Sequence, residues 1–463
     1  MGTEKKLDLK SNLKYGVFAQ GVIFFSNVMV SFILPQVLGV QEFSYWQLFI
    51  FYIGYICFFH FGLPDGIYLI NGGRRREDID TQSIAGQFKL MMLCQLIISL
   101  GIVVVSCRFI SESARRNVLI FTAIYLLAIN FNNFYGMIFQ AVNQAKIYST
   151  SLILDKIFFL LLIVVYMVCR IKHFEVYIGT YCIGRVAACI YSFEQWPELL
   201  HGRVKFPDTL KQTLKNISIG INLMLSVILS SLVLGVGRFV VDKKWGIEAF
   251  GIFSFSLTLS NFVLQFINQI SVVLFPALRQ IDKSEMRSTY IRLRKTVNNV
   301  LGLMPLAYVP LRIIVMNWLP QYEGSLKYVV FFLPMCYFDG KMQLISTTFM
   351  KVFRQERKLL KINVITLIYS AVVCFIGGYL LNNLMVVMLG MITAVIIRSC
   401  IADYNIGTEI HINIVPCLLY ELFMVGGYWG VTFGWNYKCG ISIYMILYVV
   451  QLISNRNCKG LES

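Results

Sequence analysis

The chain has 463 residues, of which 57% are hydrophobic and only 14% charged, whereas soluble globular proteins carry about 45–50% apolar and about 25% charged residues. That balance excludes a soluble enzyme of one to a few domains and points to a chain that folds in lipid. Its 41 Lys and Arg against 24 Asp and Glu, formally +17, suggest either an anionic partner or cytoplasmic loops that collect basic residues.

A membrane span needs about 20 mostly apolar residues, and polar breaks divide the sequence into about fourteen such stretches. The first six are predicted at 15–38, 45–70, 88–106, 118–140, 149–169 and 176–193. The next six are predicted at 217–241, 249–278, 298–319, 328–353, 362–381 and 384–403, and the last two at 412–435 and 441–454. The first stretch is longer than a signal-peptide apolar region and lacks a small-residue cleavage site, so it is read as a retained span. An all-α polytopic membrane protein follows.

Placing the N-terminus in the cytoplasm gathers Lys5, Lys6, Lys10, Lys14 and the run Arg74, Arg75, Arg76 on the inner side. Segments 203–215, 279–295 and 351–361 join them there, as the excess of Lys and Arg in cytoplasmic loops requires. Arg108, Arg115 and Arg116 are the exception and face outward. The expected location is the bacterial cytoplasmic membrane with both termini inside.

The fourth and tenth stretches end alike. "FQAVNQAKIYS" (139–149) aligns with "MKVFRQERKLL" (350–360), matching Gln144 to Gln355 and Lys146 to Arg357 at an offset of about 211, as in a parallel repeat about the membrane normal. This predicts two pseudo-symmetric six-helix lobes, residues 1–195 and 217–405. A cytoplasmic linker at 196–216 joins them, and two additional helices follow at 406–463. Twelve cysteines show no C-x-x-C and fall mainly in apolar stretches, where they pack as small hydrophobes. The histidines, at 60, 173, 201 and 411, are scattered, and no metal site is expected.

Charges inside spans are costly and tend to face a bundle interior or a water-filled cavity. The basic ones are Lys156, Arg185, Arg238, Arg312, Lys341 and Arg398; the acidic ones include Asp65, Asp155, Asp339 and Glu421, with Asp242 and Asp403 at span ends. Arg185, Asp339 and Lys341 lie deepest. Arg398 and Lys156, near cytoplasmic ends, are expected to snorkel. Asp155 and Lys156 are adjacent and point about 100° apart on a helix, so they are not expected to pair. Arg312 follows Pro305 and Pro310, and proline frees helix carbonyls for other partners.

Two polar stripes run along helical faces. Ser254, Thr258, Asn261, Gln265 and Asn268 mark the eighth stretch, and Asn133, Gly136, Gln140 and Asn143 the fourth. Such stripes either bond helix to helix or line a polar passage. Gly426, Gly430 and Gly434 form a small-residue run in the thirteenth stretch, read as close helix packing with an oligomer contact as the alternative. No G-x-x-x-x-G-K-[ST], G-x-S-x-G or H-E-x-x-H occurs, leaving nucleotide hydrolysis, a serine-hydrolase elbow and a zincin motif unsupported.

Three segments carry a family resemblance. "LPQVLGVQEFSYWQLF" (34–49) resembles the first outer turn of polysaccharide flippases, "FGLPDG" (61–66) the glycine-broken middle of their second span, and "GRFVVDKKWGIEAFGIFSFSLTLSNF" (237–262) the start of their second lobe. The family is the O-antigen and oligosaccharide-lipid flippase branch of the multidrug/oligosaccharidyl-lipid/polysaccharide exporter superfamily. Gln36 stands where the family has an arginine before Leu-Gly, and Gly237 where an aspartate commonly precedes Arg238.

The resemblance implies a flippase moving an isoprenoid-pyrophosphate-linked oligosaccharide from the inner to the outer leaflet by alternating access, with no enzymatic step. Arg185, Arg238, Arg312 and Lys341 are then the candidates for the anion, and Asn133, Gln140, Asn261, Gln265 and Asn268 for the sugar hydroxyls. Asp65, Asp155 and Asp339 are candidates for counterions or for coupling to a sodium or proton gradient or to the membrane potential. No cofactor is expected. The expected partners are the lipid-linked glycan, membrane lipids and other polysaccharide-assembly proteins, with no nucleic acid. The alternatives are a cation-coupled drug or metabolite exporter of the same superfamily and, in a different class, an integral-membrane glycan polymerase or transferase. Basic residues at depth favour an anionic cargo over cationic drugs, and short outer loops disfavour a polymerase.

Overall fold

A chain in hydrocarbon must satisfy its backbone internally, and this one is helical nearly throughout, with no strand among the described residues. The structure, a computed structural model, describes the backbone of residues 2–201, 206–278 and 285–457 and the side chains of 15–201, 206–262, 264 and 285–452. Its first helices are α1 (Gly2–Phe32), α2 (Leu34–Ile53), α3 (Leu63–Asn71), α4 (Thr81–Phe109), α5 (Ser113–Ala141), α6 (Ala145–Val168), α7 (Phe174–Gln195) and the short α8 (Glu198–His201). There follow α9 (Phe206–Leu278), α10 (Met286–Leu301), α11 (Tyr308–Trp318), α12 (Leu326–Lys341), α13 (Thr347–Val352), α14 (Glu356–Phe375), α15 (Leu384–Glu409), α16 (Val415–Gly434) and α17 (Tyr437–Asn457).

Joined across their breaks, the described helices group into fourteen segments that match the expected stretches in order, the long α9 covering two. Among the described residues nine helices are individually long and apolar enough to cross a bilayer, and the bent pair Leu34–His60 and Leu63–Asn71 makes a tenth. Surface patterning agrees. On α4, Gln87, Gln95, Ser99 and Ser106 are buried while Leu93, Leu96, Ile97 and Leu100 are exposed. This polarity suits lipid outside and protein inside.

The chain divides into two compact units, Met1–Ser231 and Leu232–Ser463. The same backbone device recurs in both. Gly39 (φ 75, ψ 176) turns the chain within α2, and Gly246 (φ 84, ψ −177) does the same within α9. Asn143 and Arg354 both take positive φ (62° and 55°), and each is followed by a glutamine amide bonded five residues back, Gln144 to Phe139 O and Gln355 to Met350 O. Arg170 and Asn382 repeat the left-handed turn one helix later (φ 53° and 48°). These pairs are separated by nearly the offset that aligns Gln144 with Gln355, so the repeat extends well beyond the matched sequence.

In the first unit the second pass breaks at Phe61 and Gly62, both at positive φ. A broken helix frees carbonyls that need new partners. Gln95 Nε2 donates to Phe59 O at 2.5 Å and its Oε1 accepts from Asn130 Nδ2 at 2.8 Å. The "FGLPDG" glycines let α9 approach backbone to backbone: a Cβ on Gly66 would lie 1.9 Å from Asn216 O, and one on Gly220 2.1 Å from Gly62 O. Residues 196–201 and 206–216 belong to this unit, with Trp196 and Leu199 in an apolar cluster with Phe139, Phe88 and Ile67. Arg76 lies 4.1 Å above the Trp196 ring and donates to Gln195 O at 3.2 Å.

In the second unit the ninth pass is split by a 3-10 turn at Met304–Ala307, which contains Pro305. The glycine run differs from expectation. A Cβ on Gly426, Gly430 or Gly434 would meet nothing within 4 Å, whereas one on Gly440 would lie 2.0 Å from Thr432 Oγ1. Leu418, Glu421, Met424, Val425 and Tyr428 are the buried positions of α16, so its packed face is rotated away from the three glycines.

Candidate functional site

Each unit buries its own cluster of charges. In the first, α6 contributes Asp155 and Lys156 and α7 contributes Arg185. The two helices touch at Gly184, where a Cβ would lie 2.8 Å from the Asp155 carbonyl oxygen. This close approach brings Arg185 Nη2 to 2.8 Å from Asp155 Oδ2. Lys156 Nζ reaches the same oxygen at 3.2 Å. The two neighbours therefore do pair, against expectation, because the flexible four-carbon lysine stem bends back across the angle separating their Cβ atoms. Nor does Lys156 snorkel: it is 6% exposed, donating to Tyr181 OH at 2.7 Å with its ammonium 4.2 Å from that ring.

Arg185 Nε donates to Tyr125 OH at 3.3 Å, and Tyr125 stacks on Tyr181 with centroids 5.5 Å apart. Trp46, Phe49 and Phe159 close around Tyr181. Two cations thus share one carboxylate inside an aromatic cage, leaving a buried surplus of positive charge. Nearby, Tyr148 OH donates to Asn133 Oδ1 at 3.3 Å, and Tyr148 is in electrostatic range of Arg185. Gln140 is bonded to its own helix at Gly136 O. Asp65 opens α3 at the break, 13% exposed and 4.0 Å from His60 Nδ1; that nitrogen accepts the Gly62 amide. Among the described residues no lysine or arginine pairs with Asp65.

The cluster of the second unit is balanced. Lys341 is fully buried between Asp403 Oδ2 at 2.9 Å and Glu421 Oε2 at 2.5 Å. Arg294 Nη2 meets Glu421 Oε1 at 2.8 Å and Asp403 Oδ2 at 3.3 Å. Asn298 Nδ2 and Ser346 Oγ donate to the two carboxylates. Two cations and two anions on α10, α12, α15 and α16 form a closed ring, which ties α16 to the rest of its unit. Beside it, Arg398 Nη2 lies 2.5 Å from Asp339 Oδ1, whose other oxygen accepts from Gln343 Nε2. Arg398 is 2% exposed. An internal partner on α12, in place of the membrane interface, replaces the expected snorkelling.

The remaining candidates stand apart from these clusters. Arg238 Nε donates to Ser254 Oγ at 3.0 Å. Arg312 lies 4.8 Å from the Tyr437 ring centroid, half-exposed on α11. Asn261 contacts Cys336; Gln265 and Asn268 lie outside the described residues.

Sequence reasoning missed Arg294, assigned to the basic 279–295 loop. The structure starts α10 at Met286 and buries Tyr290, Arg294, Asn298 and Leu301 on one face. That spacing of four, four and three was the available signal.

Residues 12–282 match the sequence profile described as polysaccharide biosynthesis protein. The chain belongs to the polysaccharide biosynthesis protein family. Its fold is that of the MOP superfamily transporters. The lipid II flippase MurJ in an inward closed conformation aligns at TM-score 0.62 and 15% identity, over 96% of this chain and 99% of that one. An inward-facing multidrug resistance MATE transporter aligns at TM-score 0.61 and 13% identity, over 87% and 98%. A MOP superfamily transporter from Pyrococcus furiosus, described by the reverse polarity of its binding pocket, aligns at TM-score 0.55 and 11% identity, over 87% and 96%. No curated protein sequence matches. This polysaccharide biosynthesis family member is therefore a multi-pass membrane protein of transporter fold, with a cation-rich cluster in one unit and a neutral one in the other.

Proposed function

We propose that the protein moves an isoprenoid-pyrophosphate-linked oligosaccharide from the inner to the outer leaflet of the bacterial cytoplasmic membrane by alternating access, with both termini in the cytoplasm. The observation that carries this reading is the uncompensated positive charge at Arg185 and Lys156. Buried charge is expensive unless paired, so a site with two cations and one carboxylate is completed by an anionic ligand. Arg offers a forked donor to phosphate oxygens and Lys a point charge. Arg238 and Arg312 are the further candidates for the anion. Lys341, already ringed by carboxylates, would contribute only if its ring opened.

Asn133, Gln140, Asn261, Gln265 and Asn268 are the candidates for sugar hydroxyls. Asp65, without a lysine or arginine partner among the described residues, is the candidate for coupling to protons or sodium, while Asp155 and Asp339 act as counterions. Other polysaccharide-assembly proteins are the expected partners.

The test is purified protein in proteoliposomes with radiolabelled lipid-linked oligosaccharide. A change of leaflet without lengthening supports the flippase; lengthening indicates a polymerase. Export of organic cations without glycan movement indicates a drug exporter.

A further inference from the structure

Outside these clusters, one constellation of metal-ligating side chains is left unexplained. Glu42 follows the Gly39 turn between the first two passes, and His173 and Glu175 sit at the turn into α7. One ligand atom from each lies within 4.8 Å of the other two. We infer that Glu42, His173 and Glu175 bind a divalent transition-metal ion of the zinc class, clipping the first turn of this unit to the one before α7.

The donor set defines the ion. An imidazole with two carboxylates suits zinc or cobalt, whereas calcium and magnesium take oxygen donors alone. A tetrahedral ion with bonds of about 2.0–2.2 Å and a water in its fourth position fits three protein ligands. His173 is exposed and both glutamates are half-buried, so closing the remaining distance takes a side-chain rotation at the surface.

The carboxylates are already oriented, as supporting hydrogen bonds orient metal ligands. Glu42 Oε2 accepts the Phe174 amide at 2.8 Å, and Glu175 Oε1 accepts from Asn117 Nδ2 at 3.4 Å. Among the described residues neither glutamate pairs with a lysine or arginine, which leaves both carboxylates available to a bound cation. The N-terminus of α7 favours a nearby carboxylate and accounts for Glu42. It does not account for a second carboxylate and an imidazole gathered with it. The histidines are scattered in sequence, but this site needs only one.

The test titrates Co(II), then Zn(II), into the full-length, tag-free protein in detergent. One equivalent of Co(II) should bind with visible d–d bands and no thiolate charge-transfer absorption, and Zn(II) should displace it. His173→Ala should weaken binding by about tenfold or more, the scale on which metal-site changes act. Glu42→Gln should do likewise while keeping an oxygen for the Phe174 amide, so the fold is preserved; metal-free melting temperatures check this. Saturable binding that both variants retain, thiolate absorption, or no saturable binding at all would overturn the inference. So would variants that change only the metal-free melting temperature.

Discussion

The Arg185 guanidinium meets the Asp155 carboxylate at 2.8 Å, and Lys156 reaches the same oxygen at 3.2 Å. The contact exists because Gly184 lets α7 lie against the α6 backbone. One carboxylate therefore holds two cations, and the roles of the three residues separate on substitution.

Asp155→Asn removes the one carboxylate that pairs with Arg185 and Lys156 among the described residues and leaves two buried cations. Breaking a buried pair in this way costs about 3–5 kcal/mol, so the melting temperature in detergent should fall clearly. Arg185→Gln leaves Lys156 with Asp155 as a neutral pair and should unfold close to wild type. A variant order opposite to this in a thermal melt would refute the charge assignment.

Glu421→Gln opens the neutral ring and leaves Arg294 and Lys341 with Asp403 alone. Its melting temperature should drop by an amount on the scale of about 3–5 kcal/mol. The double variant Lys341→Met, Glu421→Leu removes one charge of each sign and keeps the Arg294–Asp403 pair. It should lose less than the sum of Lys341→Met and Glu421→Leu made singly, and that double-mutant cycle measures the coupling.

Backbone contact at the broken second pass makes Gly66 intolerant. A Cβ there would sit 1.9 Å from Asn216 O, whereas one on Gly430 meets nothing within 4 Å. Gly66→Ala should reduce folded yield and melting temperature. Gly430→Ala, inside α16 with open space for its methyl, should lower neither, because alanine is favoured over glycine in a helix interior by about 1 kcal/mol. Equal effects in size-exclusion yield and thermal melts would contradict this packing.

Asp65→Asn tests the coupling role. It removes the charge while preserving shape at a position that no described lysine or arginine neutralises. Gradient-driven transport should lose its dependence on the ion gradient, with downhill exchange retained. Unchanged gradient dependence in proteoliposomes would exclude Asp65.

Much of this was legible in the sequence, for identifiable reasons. Apolar length located the passes, and the glycines of "FGLPDG" marked the break through the family resemblance, while the left-handed turn at Phe61 and Gly62 is visible only in backbone angles. The matched Gln144 and Gln355 turns announced the repeat, whose wider extent at Gly39 and Gly246 is visible only in backbone angles. Arg294 was hidden because a helix entering the membrane from a basic loop looks, by composition, like more loop. Partnerships were hidden as well. Depth in a span showed that Lys341 and Arg185 were costly, but only three-dimensional pairing separates a cation neutralised by two carboxylates from one sharing a single carboxylate. The glycine run misled because small-residue spacing fixes a helix face without saying what that face meets.

The central claim is that the positive surplus at Arg185 and Lys156 receives the anionic head of the cargo. Its most direct test is translocation of lipid-linked oligosaccharide in proteoliposomes by wild type and by Arg185→Gln, each confirmed folded by thermal melt. We predict at least about a tenfold loss of rate, equivalent to about 1.4 kcal/mol of lost interaction, in Arg185→Gln with its fold intact. Wild-type translocation by that folded variant would contradict the account.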